Sequence, residues 1–472
     1  MTLWTTSEIA AATGGTASAD FAVSGVAFDS REIAPGDLFI AMRGEATDGH
    51  LFIDRAIAAG AAGVITEQPI DHPHVLVRDS AAALTELGHA ARARSTATII
   101  GVTGSAGKTS TKEALFHALD RMAPGAAHRS VKSYNNHVGV PLSLARMPRD
   151  ARYGVFEMGM NHTGELAELT RIVRPHIAII TTIAPAHIGN FSTGEEGIAD
   201  AKAEIFLGLE PGGTAIVPHD NRHYPRLYAA AQAATDYVVR FGSQPDSEAR
   251  LIDSIGAVEG GSLVTAQISE ARLCFRIAAP GAHWVMNALA VMAAVEAAGG
   301  DLAVAGLALA DLPGMAGRGE RLTIATPDGG QALLIDEAYN ANPASMAATL
   351  ALLRQQKASR RIAVLGAMKE MGATSDSYHA ALADPVIGAN VASVILVGDE
   401  MAPLADALAK SLEWQGTIAH VPAADAALGA LRAILADGDA VLVKGSNSVG
   451  LSALVRALAT PVAGVAAVQE GV

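Results

Sequence analysis

Lys108 and Thr109 close a run, Gly101-Val-Thr-Gly-Ser-Ala-Gly-Lys-Thr109, whose residue types suit the phosphates of a nucleotide. Glycines let backbone N–H groups approach phosphate oxygens, and a helix that starts at the loop adds its dipole. In such a loop the lysine reaches the terminal phosphates and the hydroxyl is offered to Mg2+. The contacts to the nucleotide are expected from Gly104, Ser105, Ala106, Gly107, Lys108, Thr109 and Ser110. The spacing departs from the standard phosphate loop, which sets four residues between its first glycine and the Gly-Lys pair. That position is Val102, so Gly101 comes one residue too early and Gly104 two too late. A plain glycine-rich turn leaves Lys108-Thr109 at a helix start unexplained.

Further chemistry sits at the ends of apolar runs. Tyr153-Gly-Val-Phe156 leads into Glu157, and Pro175 to Ile183 ends near His187. A carboxylate beside phosphates is a natural Mg2+ ligand, whereas a lone histidine is more often packed or solvated. Lys202 lies in a helical stretch, Gly197 to Phe206, and by spacing alone reads as a solvated helix lysine. Asn135 and Asn136 suit a tight loop as well as a ligand. Asn287, at the expected start of a helix over 288–298, suits a base edge or a helix cap. Ser30, Arg31, Asp48 and His50 end short strands near the N-terminus. Arg318 lies in a glycine-rich hinge over 314–321. Asp336-Glu-Ala-Tyr-Asn-Ala-Asn-Pro343 follows a strand and contains Tyr339, Asn340 and Asn342, and Lys444 ends the run Ala440-Val-Leu-Val443.

Strand–helix alternation must position these groups. Parallel strands share one C-terminal edge, which brings the phosphate loop, Glu157 and His187 to one rim. Length sets the expectation of about three domains, and the strand–helix alternation makes them α/β: a small N-terminal unit over 1–95, a central parallel-sheet nucleotide-binding unit over 96–314, and a C-terminal Rossmann-like unit over 315–472. Residues 236–279 alternate apolar and polar, as an antiparallel patch does. A G-x-G-x-x-G fingerprint is absent, which argues against a dinucleotide cofactor. A net charge of −14 argues against a nucleic-acid surface, and leaves local cations and metal to hold a nucleotide. Cys274 is the only cysteine, so no internal disulfide forms. Met1 to Glu8 has no basic start or long apolar stretch, and no run reaches membrane-spanning length. A cytoplasmic protein without a membrane span is the expectation. The lack of an Asn-Lys-x-Asp motif argues against a GTPase switch.

Taken in order, these motifs resemble those of the Mur ligases, the ATP-dependent amide-bond-forming enzymes of peptidoglycan synthesis. The loop at 101–109 is similar to the family's phosphate loop, and Asp336-Glu-Ala-Tyr-Asn-Ala-Asn-Pro343 resembles its Asp-x-x-Tyr-Asn-Ala-Asn-Pro signature. Asp29-Ser-Arg31 with Asp48-Gly-His50 resembles the UDP-binding unit of the members that add the third residue or the terminal dipeptide. Ser105, Asn135-Asn-His-Val-Gly-Val-Pro141 and Tyr339 to Asn342 look most like the dipeptide-adding members.

The resemblance implies an acyl-phosphate mechanism with ATP, UDP-N-acetylmuramoyl-tripeptide and D-alanyl-D-alanine as small-molecule substrates, in a monomer. The member that adds the third residue is the alternative, and a folylpolyglutamate synthase a more distant one. By the same resemblance Thr109, Glu157, His187 and a carbamylated Lys202 hold Mg2+, two ions in all. Lys108, Lys202 and His187 are catalytic, and Asn287, Arg318 and Asp336 contact ATP. Ser30, Arg31, Asp48, His50, Asn135, Asn136, Tyr339, Asn340, Asn342 and Lys444 face the substrates. Two positions depart from the family pattern. His283-Trp284 stands where His-Asn is common, and Gly366-Ala367 where Gly-Asp is common, with Glu370 and His379 remaining in that loop.

Overall fold

The computed structural model describes residues 2–44, 47–257 and 261–460. Residue 1 and residues 461–472, the outer ends of the first and third expected units, lie outside them. The chain builds three principal sheets. In the first, Gly25–Ala27, Asp37–Ile40, Gly63–Thr66 and His74–Leu76 are parallel neighbours, and Thr16–Ala17 pairs antiparallel with the last. The stretch before Ser30 does not form one strand. Ala22–Val23 pairs instead with Trp4–Thr5, and Gly25–Ala27 enters the main sheet. The helix Thr6–Thr13 begins with a reciprocal cap in which Thr5 and Glu8 satisfy each other's backbone N–H groups.

The central sheet runs parallel through Ala127–Arg129, Tyr153–Glu157, Thr98–Thr103, Ile177–Ile180, Thr214–Pro218, Tyr237–Gly242 and Ala249–Gly256. Ser262–Ile268 and Ala271–Ile277 then add antiparallel. The antiparallel patch expected over 236–279 is therefore confined to Ala249–Ile277. Tyr237–Gly242 is a parallel strand.

Thr98–Thr103 is covered on both faces, which is why it reads as a continuous apolar run. Ile99 joins the core on one face, and Ile100 and Val102 the core on the other. The first of these cores continues into the N-terminal unit through Leu84, Leu87 and Trp4, whose indole N–H donates to Ala145 O at 2.8 Å. The N-terminal sheet thus packs into a core shared with the central sheet. The other face is filled by the helix Ala282–Ala297, buried nearly all round by small residues that let it sit close to the sheet.

The third sheet has the order Glu320–Ala325, Gln331–Glu337, Ala440–Lys444, Arg361–Gly366, Ser393–Val397, Thr417–Val421, parallel except for its first strand. The segment expected to be a hinge over 314–321 already contains the start of that first strand. Among the described residues no helix is long and apolar enough to cross a membrane.

Candidate active site

The strand Thr98–Thr103 extends beyond the apolar run that announces it, and this accounts for the irregular glycine spacing. Gly101 is a strand residue, where a Cβ would come within 2.6 Å of Met158 Cε. The loop proper starts at Gly104, whose φ is +150° and whose Cβ would meet Thr181 Oγ1 at 1.9 Å. It ends at Gly107, with φ +83°, and Lys108 opens the helix Lys108–Met122. Ser105 pins the loop to the next strand end. Its hydroxyl donates to Ala184 O at 2.9 Å and its N–H to Thr182 O at 2.8 Å. Thr181 Oγ1 donates to Ala106 O at 2.5 Å. Lys108 Nζ curls back to Gly104 O at 2.8 Å, where a lysine waits over an anion site.

Glu157 ends its strand opposite Val102, one strand from the loop. It is 1% exposed and accepts hydrogen bonds from Thr109 Oγ1 and Asn135 Nδ2, both at 2.7 Å. Lys112, also buried, lies 3.9 Å away and donates to Ser130 O and Lys132 O. The strand on the other side of the loop leads to His187. The rim expected from parallel topology is therefore present.

Lys202 is not a solvated helix lysine. It is 2% exposed and has no hydrogen bond or ion pair among the described residues. Burial, and secondarily the charge of Lys108, hold its ammonium well below the ordinary lysine range. Burial likewise lowers Lys108, which Glu157 partly offsets, and His187, where Glu370 opposes the effect. A buried, unpaired lysine beside a second lysine suits carbamylation, which consumes a neutral amine and replaces a cation by an anion. The donors then available, Thr109 hydroxyl, Glu157 carboxylate, His187 imidazole and a Lys202 carbamate, are the hard oxygen and nitrogen ligands that Mg2+ accepts. Among the described residues no three His, Cys, Asp or Glu side chains form a ready-made metal cluster, so the fit depends on Lys202.

The C-terminal unit closes the site from the opposite side around a cavity of about 570 Å3. Asn342 caps the helix Pro343–Arg354 by accepting from Ser345 N, and its Nδ2 donates to Ser105 O at 3.2 Å. Arg318 stacks over Tyr339 at 4.2 Å and donates to Ser133 Oγ at 3.3 Å. Lys444 Nζ donates to Asn340 O at 2.9 Å and pairs with Glu337 at 3.3 Å. Ser105 to Ser110, Asn135, Glu157, His187, Asn287, Arg318, Tyr339, Asn340, Asn342 and Lys444 all line this cavity.

Several candidates differ from expectation in position or partner. Asn287 neither caps nor starts its helix. It lies in the second turn, 7% exposed, and its amide packs where a Gly107 Cβ would otherwise be. Asp336 does not line the cavity. Both its oxygens are taken by backbone, from Gly317 N at 2.7 Å and Ala338 N at 3.0 Å, so it fixes the hinge that carries Arg318. Asn136 accepts from Gly139 N at 2.9 Å and shapes the turn into the helix Gly139–Ala145. In the N-terminal unit, His50 accepts from Glu67 N at 3.1 Å, which leaves its Nδ1–H for Asp48 at 2.6 Å. Asp48 and His50 thus lock a loop. Arg31 is exposed and paired with Asp29, and Ser30 is buried beside it.

Trp284 is 4% exposed and forms part of the cavity wall with its ring against the core, and Ala367 is fully buried, so neither departure places a carboxylate or amide side chain at the site. His379 is buried, accepts from Met368 N and holds the Ala367 loop. Thr181, Ser133, Asp220 and Asn221 also line the cavity, although their residue types alone do not mark them. Asp220 and Asn221 lie just past His219 at the end of the strand Thr214–Pro218, so strand-end position is the signal that marks them.

Three family models match the chain in sequence: the Mur ligase family catalytic domain over residues 22–114, the Mur ligase middle domain over 102–295, and the Mur ligase glutamate ligase domain over 317–447. The UDP-N-acetylmuramoyl-tripeptide–D-alanyl-D-alanine ligase of Synechocystis sp. is 34% identical over 448 residues, 93% of each chain. The crystal structure of MurF from Acinetobacter baumannii superposes with a TM-score of 0.83 at 29% identity, covering 97% of this chain and 98% of that one. MurF ligase from Thermotoga maritima, solved in complex with ADP, superposes with a TM-score of 0.75 at 25% identity over 93% and 97% of the two chains. With the loop, the buried lysine and the two facing sheet edges arranged as described, these matches place the chain in the Mur ligase family.

Proposed function

We propose that this protein joins D-alanyl-D-alanine to UDP-N-acetylmuramoyl-tripeptide with hydrolysis of ATP to ADP and phosphate, forming the UDP-linked pentapeptide of peptidoglycan synthesis. The observation that carries the reading is the meeting of the Gly104–Gly107 loop with Asn342 across the domain cleft. It gives a phosphate site that a second domain can complete and shield. Near-full-length similarity to a ligase of that name supports this reading over third-residue addition or glutamate addition to folate.

The tripeptide carboxylate attacks the γ-phosphorus, ADP leaves, and an acyl phosphate forms. The dipeptide amine then attacks the acyl carbon, the C–O bond to phosphate breaks, and the amine loses a proton as the amide forms. The first step brings two anions together. Lys108 and the loop N–H groups offset that repulsion, most effectively where water is excluded. Thr109, Glu157, His187 and carbamylated Lys202 would hold Mg2+, one ion or two, which supplies further neutralisation of the phosphates. Arg318, braced by Tyr339, approaches the nucleotide from the C-terminal side, and Asn287 sets the loop from behind. Asn135 orients Glu157. Ser30 and Arg31 face the UDP end, whose loop Asp48 and His50 hold, while Tyr339, Asn340, Asn342 and Lys444 form the wall facing the substrates. A cytoplasmic location is part of the proposal, since ATP and UDP-linked substrates are made there. Phosphate release measured with each substrate omitted in turn tests the reading. Release should require ATP, the UDP-tripeptide and D-alanyl-D-alanine together, and undiminished release without the dipeptide would contradict it.

A further inference from the structure

Across the cleft from the phosphate loop, His187 on the central unit meets Glu370 on the C-terminal unit. The Glu370 carboxylate is hydrogen-bonded to His187 Nδ1. Lys369, its neighbour, is engaged with Glu400, and His187 is the only side-chain partner of Glu370 among the described residues. Backbone geometry holds the pair. Both residues have left-handed φ, +57° at His187 and +63° at Glu370. Gly189 N donates to Glu370 O at 3.3 Å. Two glycines permit that approach, since a Cβ at Gly189 would lie 2.8 Å from Gly372 N and one at Gly372 would lie 2.7 Å from Gly189 Cα. His187 lines both the large cavity and a smaller one of about 280 Å3 beside it. Its Nε2 has no hydrogen-bond partner among the described residues.

A neutral imidazole carries one donor and one acceptor nitrogen, and the partner of one nitrogen decides which. With Nδ1–H given to a carboxylate, the Nε2 lone pair is free, and the ring is held in one orientation and made more basic. We infer that Glu370 is a positioning residue for His187, fixing the ring so that Nε2 serves as a metal ligand when the C-terminal unit is docked. The metal site is then completed by domain docking, because the group that orients one ligand sits on the other domain. This rests on the Mg2+ reading above.

The test uses the full chain loaded with ADP and titrated with Mn2+, followed by electron paramagnetic resonance. Wild type should bind Mn2+. Glu370→Gln keeps an acceptor without its charge and should bind several-fold more weakly, and Glu370→Ala about 10- to 100-fold more weakly. Glu370 is half exposed, so both variants should melt as wild type does. A double-mutant cycle distinguishes positioning from general damage. Adding Glu370→Ala to His187→Ala should weaken binding no further. Equal Mn2+ affinity in wild type and Glu370→Ala, or a full additional loss in the double variant, overturns the inference. Absence of Mn2+ binding by wild type overturns the metal reading beneath it.

Discussion

Thr109 Oγ1 donates to Glu157 Oε2 across 2.7 Å, so the first turn of the phosphate-loop helix is tied to the end of the neighbouring strand. Both groups are buried, and Asn135 takes the other carboxylate oxygen. Replacing Glu157 by Gln puts an NH2 group against one of two donors. A kcat lowered by about 100-fold or more is expected, since one such electrostatic contact is worth on the order of 3 kcal/mol in a transition state. Steady-state kinetics checks this, and a change confined to KM would contradict it.

Lys202→Ala should be inactive, and added bicarbonate should not restore it, because the amine that takes up carbon dioxide is gone. In wild type, 13C-bicarbonate should give a carbamate resonance that the variant lacks. Substantial activity in Lys202→Ala would remove the carbamate from the account.

Gly104→Ala tests the reassigned start of the loop. Its Cβ would meet Thr181 Oγ1 at 1.9 Å, on a backbone with φ +150° that alanine rarely adopts. ATP binding measured by calorimetry should fall by at least about tenfold, a change of about 1.4 kcal/mol. Wild-type affinity would show that the loop tolerates a side chain there.

His128 gives a stability prediction with a defined sign. Its ring packs on Phe156 and donates to Ser143 O at 2.8 Å, and burial holds its pKa down at about 4 against an ordinary 6.5. The folded protein keeps this histidine neutral, while the unfolded chain protonates below pH 6.5. Its contribution is therefore present above 6.5 and lost as pH falls to about 4, up to about 3 kcal/mol. Urea melts of His128→Gln should show a shallower loss of stability across that window than wild type. An identical pH slope would contradict the assignment.

The sequence made the rim legible because parallel strands force their C-terminal ends to one edge. Glu157, His187 and the phosphate loop could be placed together on that ground alone. Gly101 misled because an apolar run marks where a strand is buried, and Thr98–Thr103 continues through a glycine and a threonine whose faces are also covered. Lys202 looked ordinary because helical periodicity does not reveal which face a distant element covers. Asn287 lines the cavity and also sets a glycine turn, whereas Asp336 has the residue type of a ligand contact yet satisfies backbone donors. The Glu370–His187 contact spans 183 positions in the chain, a separation over which no spacing rule operates.

In the proposed reaction ATP activates the substrate's carboxylate. UDP-N-acetylmuramoyl-tripeptide labelled with 18O in its terminal carboxylate, turned over with ATP and D-alanyl-D-alanine, should transfer one 18O to each phosphate released. Phosphate free of the label, with amide still formed, would contradict an acyl-phosphate route.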